Sequence, residues 1–239
     1  MSETATDPGV RLPVAVLAVA ATVVAALLVV ALVVRLDADR LPSGPPRDPP
    51  EAPAAQAAAT RFEVSGRKVS LNEFSVTLAG PPFTCDTAVQ PTPTGIAQLA
   101  QCTTLVHEDY DGKGSDWGAA TGVALLDSST LSPDLRTATS DVFDLFVSAL
   151  YTREDRATLA KQADGAAQIP APSGAAWTRQ ADVRIKHEGL PTPYDRLVVI
   201  VVRLEGGQHV DFFSDFPHDG SKQALQAVVD SVGTLEAQR

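Results

Sequence analysis

Leu197-Val198-Val199-Ile200-Val201-Val202, followed by Gly206-Gly207 and then His209-Val210-Asp211-Phe212-Phe213, is the stretch whose reading decides the fold. The first part is a continuous β-branched run with both faces apolar, which places it as a strand inside a sheet. Gly206-Gly207 is a tight-turn dipeptide, and His209 to Phe213 returns as the second arm of a hairpin. With Gly206-Gly207 as a two-residue loop, Val201 lies opposite Phe212 and Val199 opposite Ser214. Beyond it, a helix from about Ser221 carries Leu225, Val228, Val229, Val232 and Leu235 at helical spacing. That face is expected to pack on the sheet, so Val229→Asp is expected to unfold the domain.

Working back from the hairpin, Trp177 to Ile185 reads as a strand after the loop Ile169-Pro170-Ala171-Pro172-Ser173-Gly174. Ser140 can N-cap a helix through Val142, Phe143, Phe146 and Leu150, and Asp141 and Asp144 suit its positive start. The continuation, Thr152 to Ala163, is charged, with Leu159 as its main apolar contact, so the helix is expected to break near Tyr151. Cys102 to Val106 and Trp117 to Leu126 read as two strands joined by an acidic, Gly-punctuated loop. Ile96 to Ala100 reads as a helical turn. Arg61 to Val64, Lys68 to Leu71 and Phe74 to Leu78 are short strands, stopped by Gly80-Pro81-Pro82. These elements predict an α+β domain, an antiparallel sheet packed against helices.

The order strand, Gly-Gly hairpin and amphipathic helix ending in Val228-Val229-Asp230-Ser231-Val232 resembles the C-terminal half of PsbP-like domains, a fold shared by the actinobacterial envelope lipoproteins of the LpqN family. The resemblance covers Tyr194 to Leu235. It implies an antiparallel sheet with helices packed against it, and an accessory or protein-binding role without catalytic residues. The chain departs from that pattern in carrying Cys85 and Cys102 and a membrane helix in place of a lipidated cysteine. The Ala, Val and Pro bias fits a high-GC actinobacterium.

Leu12 to Val34 is an unbroken Leu, Val and Ala run interrupted only by Pro13 and Thr22. At about 1.5 Å per residue it is long enough to cross a hydrocarbon core about 30 Å thick as one helix. No small-x-small cleavage site follows directly, which makes the run an uncleaved anchor in the lipid bilayer. Residues 1–11 are then a short tail, 12–35 the transmembrane helix, 36–60 a Pro/Ala-rich linker and 61–239 the folded domain. Arg35, Arg40 and Arg47 after the run, against Arg11 before it, favour a cytoplasmic domain by the positive-inside rule. The cysteine pair favours an oxidising compartment, and the expectation is a single-pass protein of the cell membrane with its C-terminal domain extracytoplasmic.

The chain carries a formal net charge of -10, which argues against a nucleic-acid partner, since phosphate contacts need clustered Lys and Arg. Cys85 and Cys102 are an even pair that reads as one disulfide, with two unrelated buried thiols as the alternative. Asp109, Asp111 and Asp116 partly imitate a calcium loop, but no third alternating acid precedes Gly112 and no bidentate Glu follows. The histidines never fall at i, i+4, and no Gly-x-Ser-x-Gly elbow occurs. His209, Asp211 and His218 could converge near the hairpin and form a candidate pocket. No catalytic residue, metal site or cofactor is predicted. The function expected is an accessory module binding an envelope protein, with an enzyme of dispersed site or a sensor of envelope state as alternatives.

Overall fold

The computed structural model describes residues 61–71, 74–86, 95–167, 175–204 and 206–237. The tail, the membrane span Leu12 to Val34 and the linker lie outside them. Among the described residues no helix is long and apolar enough to cross a membrane.

The elements run β1 (Phe62–Ser65), β2 (Lys68–Leu71), β3 (Phe74–Thr77), β4 (Thr84–Asp86), β5 (Ile96–His107), β6 (Trp117–Leu126), α1 (Leu135–Leu150), β7 (Thr158–Ala166), β8 (Ala175–Arg184), β9 (Tyr194–Arg203), β10 (His209–Pro217), α2 (Lys222–Gly233) and β11 (Glu236–Ala237). They build two sheets: a seven-stranded one in the order β4-β5-β6-β10-β9-β8-β7 and a four-stranded one in the order β1-β2-β3-β11. Every pairing is antiparallel.

β10 is the middle strand of the large sheet, and all nine of its residues are buried. The period of two then sorts side chains between two cores. Leu197, Val199, Val201 and Phe213 meet Val142, Phe143 and Phe146 of α1 on one face. Phe146 stacks on Phe213 at 4.3 Å between ring centroids. Ile200, Val202, Val210 and Phe212 meet the small sheet's Val69, Leu71, Phe74 and Val76 on the other, together with Ala224, Ala227 and Val228 of α2. Each large side chain sealed this way contributes roughly 1.5–3 kcal/mol.

The α+β expectation of helices against one sheet is therefore corrected: strand accounts for 48% and helix for 18% of the described residues, which form two sheets and two helices. Much of the difference lies in stretches read as helical or irregular. Ile96 to Ala100, read as a helical turn, opens the twelve-residue β5. The helix α1 ends at Leu150, in line with its expected break near Tyr151. The charged stretch after it, assigned no element from the sequence, becomes from Thr158 the edge strand β7, whose bulge between Ala160 and Ala163 breaks the alternation that would have revealed it. α1 begins at Leu135, its N-cap being Asp134, whose carboxylate accepts from Thr137 N at 2.8 Å, and not Ser140.

The hairpin is real but its register differs by one residue. Leu204 N donates to Gln208 O at 2.8 Å and Gly207 N to Leu204 O at 2.9 Å, so three residues separate the closing pair. Gly207, at φ 77°, takes the left-handed conformation that such a turn needs. Val201 thus faces Asp211 and Val199 faces Phe213. α2 starts as expected, Ser221 Oγ accepting from Ala224 N at 3.1 Å. Its buried stripe is Ala224, Ala227, Val228 and Ser231, while Leu225 and Val229 are 49% and 54% exposed. Small residues let the helix approach the sheet closely, with Val228 filling in between, and Leu225 and Val229 point away.

Candidate functional site

Cys85 and Cys102 are directly opposite each other on β4 and β5 and form a disulfide with an S–S distance of 2.03 Å. The bond fastens the short outer strand β4 to the large sheet.

The structure keeps His209 and Asp211 on one face of β10 and places His218 beyond the far end of the strand. His209 opens β10, its Nδ1 3.1 Å from Ser128 Oγ. His218 follows the other end of the strand, stacked on Tyr194 at 4.4 Å with Nδ1 2.6 Å from the phenol oxygen. Nine residues of strand put them about 30 Å apart. Asp211 lies between, fully buried, with neither carboxyl oxygen hydrogen-bonded, and burial pushes its pKa well above the carboxylate range. Burial also lowers the His209 imidazole, with the Arg203 charge adding to the effect.

The acidic loop uses its carboxylates to order itself. Asp116 Oδ1 accepts from Asp109 N at 2.9 Å, Asp111 Oδ1 from Lys113 N at 2.8 Å and Asp111 Oδ2 from Ser115 Oγ at 2.8 Å. Among the described residues no group of three His, Cys, Asp or Glu is arranged to hold a metal ion.

The strongest concentration of unusual chemistry lies elsewhere, under the C-terminal end of α1. Tyr151, the residue that caps that helix, donates its hydroxyl to Asp215 Oδ1 at 2.6 Å and sits 3.4 Å from Asp195 Oδ2. Trp117 Nε1 donates to the same Asp195 oxygen at 3.0 Å, and Asp195 Oδ1 has no partner. Asp195 projects from β9 and Asp215 from β10, both on the face that α1 covers. Among the described residues no Lys, Arg or His lies within 4.0 Å of either carboxyl. Burial, reinforced by the neighbouring Asp215 charge, raises Asp195 to about 8. Burial raises Asp215 to about 7. Tyr151 is pushed well above its ordinary value by burial and by both acids. Buried Asp182 makes the contrast: burial pushes it up, but Arg196 and Lys161, bonded to its two oxygens, leave it below the ordinary value. Two uncompensated acids can therefore retain and release a proton near neutral pH, while the phenol between them stays protonated.

Nothing in an alternating reading of β10 points to this cluster, because His209, Asp211 and Asp215 look like the wet side of a half-buried strand. The usable signal was in β9. A strand apolar on both faces requires both faces of its neighbour to be covered as well.

A separate open groove of about 440 Å³ runs between α2 and the turn after β3. Leu78 and Ala227 contribute its apolar surface, and Arg67, Gln226 and Asp230 its polar rim. A Cβ at Gly80 would stand 2.6 Å from the Arg67 guanidinium, the far end of a flexible side chain that can give way.

No protein-family model matches the sequence, and comparison with curated proteins finds no match.

Proposed function

We propose that the chain is a single-pass membrane protein, held in the bilayer by Leu12 to Val34, whose domain from residue 61 onward is an extracytoplasmic accessory module that binds another envelope protein. The observation that carries this reading is the Cys85–Cys102 disulfide, because such bonds persist in oxidising compartments and are rare in the cytosol. The binding role draws support from a difference in access. The acids and His209 that could do acid-base chemistry are buried, while the groove beside α2 is open and offers opposite charges and amides over an apolar floor, a chemistry that suits a peptide chain.

Thiol labelling on intact cells tests the topology. An impermeant maleimide is expected to label the protein only after mild reduction, through Cys85, the less buried partner. Labelling that needs cell lysis would overturn the extracytoplasmic placement.

A further inference from the structure

We propose that Asp195, Tyr151 and Asp215 form a proton-operated latch that docks the C-terminal end of α1 on the large sheet and releases it when the shared proton is lost. The geometry allows one hydroxyl between two carboxyls. Tyr151 has a single proton, and it points at Asp215 Oδ1, 2.6 Å away. With that proton spent, the phenol oxygen can act only as an acceptor towards Asp195, 3.4 Å off, which requires a proton on the Asp195 side. While Asp195 keeps it, every member of the trio has a donor facing an acceptor. Once the proton passes to a base in solvent, two carboxylates face one phenol in a site without a cation. The Asp195 charge then keeps one hydrogen bond, from Trp117 Nε1, and gains no other. Exposing the acids to water relieves this charge, and the piece that covers them is the end of α1.

That piece is suited to move. Tyr151 is the last helical contact, its N–H donating to Val147 O at 3.1 Å, and the turn after it is held by Asp155, which accepts from Thr152 N at 2.6 Å. The first turns of α1 are anchored separately, by Leu135, Ala138, Val142 and Phe143 in the core. The other groups facing the latch do not supply a compensating charge. Tyr110 stands edge-on to Trp117 at 6.4 Å, with His187 5.3 Å behind it. Asp219, bound to His107 at 3.1 Å, adds a negative charge that raises Asp195 further, and Asp155 and Asp211 are likewise acids that supply no cation.

Amide hydrogen exchange on the full chain in detergent micelles tests the latch, with rates corrected for the intrinsic pH dependence of exchange. In the wild type, protection in the last turn of α1 is expected to fall as the pH rises towards 8 and to level off above it, by up to about tenfold per pH unit for each acid that gives up its proton on opening. Protection in α2 should stay level. The Asp195→Asn, Asp215→Asn double variant, which cannot ionise, is expected to keep its protection across the range. Tyr151→Phe, which leaves the acids but removes the bridge, is expected to leave the last turn open at every pH, and it provides the comparison if the double variant does not fold. Protection of the wild-type last turn that is independent of pH would overturn the proposal. So would a pH step that persists in Tyr151→Phe.

Discussion

At Asp211 a carboxyl sits between Ala124 and Val201 with neither oxygen hydrogen-bonded. An unpartnered buried polar group costs roughly 1–3 kcal/mol, and valine suits a β-strand flanked by apolar neighbours. Asp211→Val is therefore expected to raise Tm, as read by a thermal melt of the full chain; a lower Tm would mean that the carboxyl has an energetic use. Val229 teaches the complementary point. Helical spacing alone puts it on the core face, but it is half exposed, so Val229→Asp is expected to change stability by no more than about 0.5 kcal/mol. Val228→Asp, one position along, buries a charge against Leu71 and its neighbours in the same core and is expected to abolish folding. Paired urea titrations of the two variants separate these outcomes. Hydropathy gives weight to Leu225 and Val229 and little to Ala224, Ala227 and Ser231, which is why two exposed residues look like members of a core face that Val228, Val232 and Leu235 do form.

Among the elements, those with a strong local signature were legible from the residues. β1, β2, β3, β6, β8, β9 and β10 announce themselves by alternation or by a β-branched run, and α2 by Ser221 at its N-cap. The elements that were hidden owe their state to neighbours. β7 is polar because it is the edge of the sheet, and the first half of β5 becomes strand through its pairing with β6 from Ile96 onward. The Asp195–Tyr151–Asp215 site was illegible for the same reason, since its three side chains come from β9, α1 and β10 and meet only once the hairpin register is known. At this scale the disulfide has a measurable effect. Its loop spans a sequence separation of 17, and reduction is expected to cost about 3 kcal/mol in the chain-entropy model. Denaturant unfolding with and without reductant checks this, and β4 is the element expected to lose protection first.

For the whole molecule, the buried acids set a pH dependence opposite to that of an ordinary acidic protein. Asp195 and Asp215 titrate near 8 and 7 when folded and near 3.9 when unfolded, so the folded state holds more protons between those values. Their contribution is complete below about pH 4 and is lost as the pH rises through 7 and 8. The depressed His209 acts the other way, losing its contribution as the pH falls below about 6.5. Asp134 and Asp182, also depressed, lose theirs only near pH 4 and below. The urea midpoint is expected to be highest near pH 4–5, because above it two acids lose stabilisation while one imidazole regains it, and to be lower at pH 8.5; a midpoint that climbs from pH 6 to 8.5 would contradict the assignment. The small sheet has a further consequence, for synthesis. β11 closes it against β3, and Thr77, within β3, exchanges hydrogen bonds with Thr234 across a sequence separation of 157. On the ribosome the amino-terminal strands must wait for the last helix before their core can seal. Until then Val69, Leu71 and Val76 are exposed to any other chain nearby, which makes the interval between translating β3 and translating α2 the time when this protein most needs a chaperone.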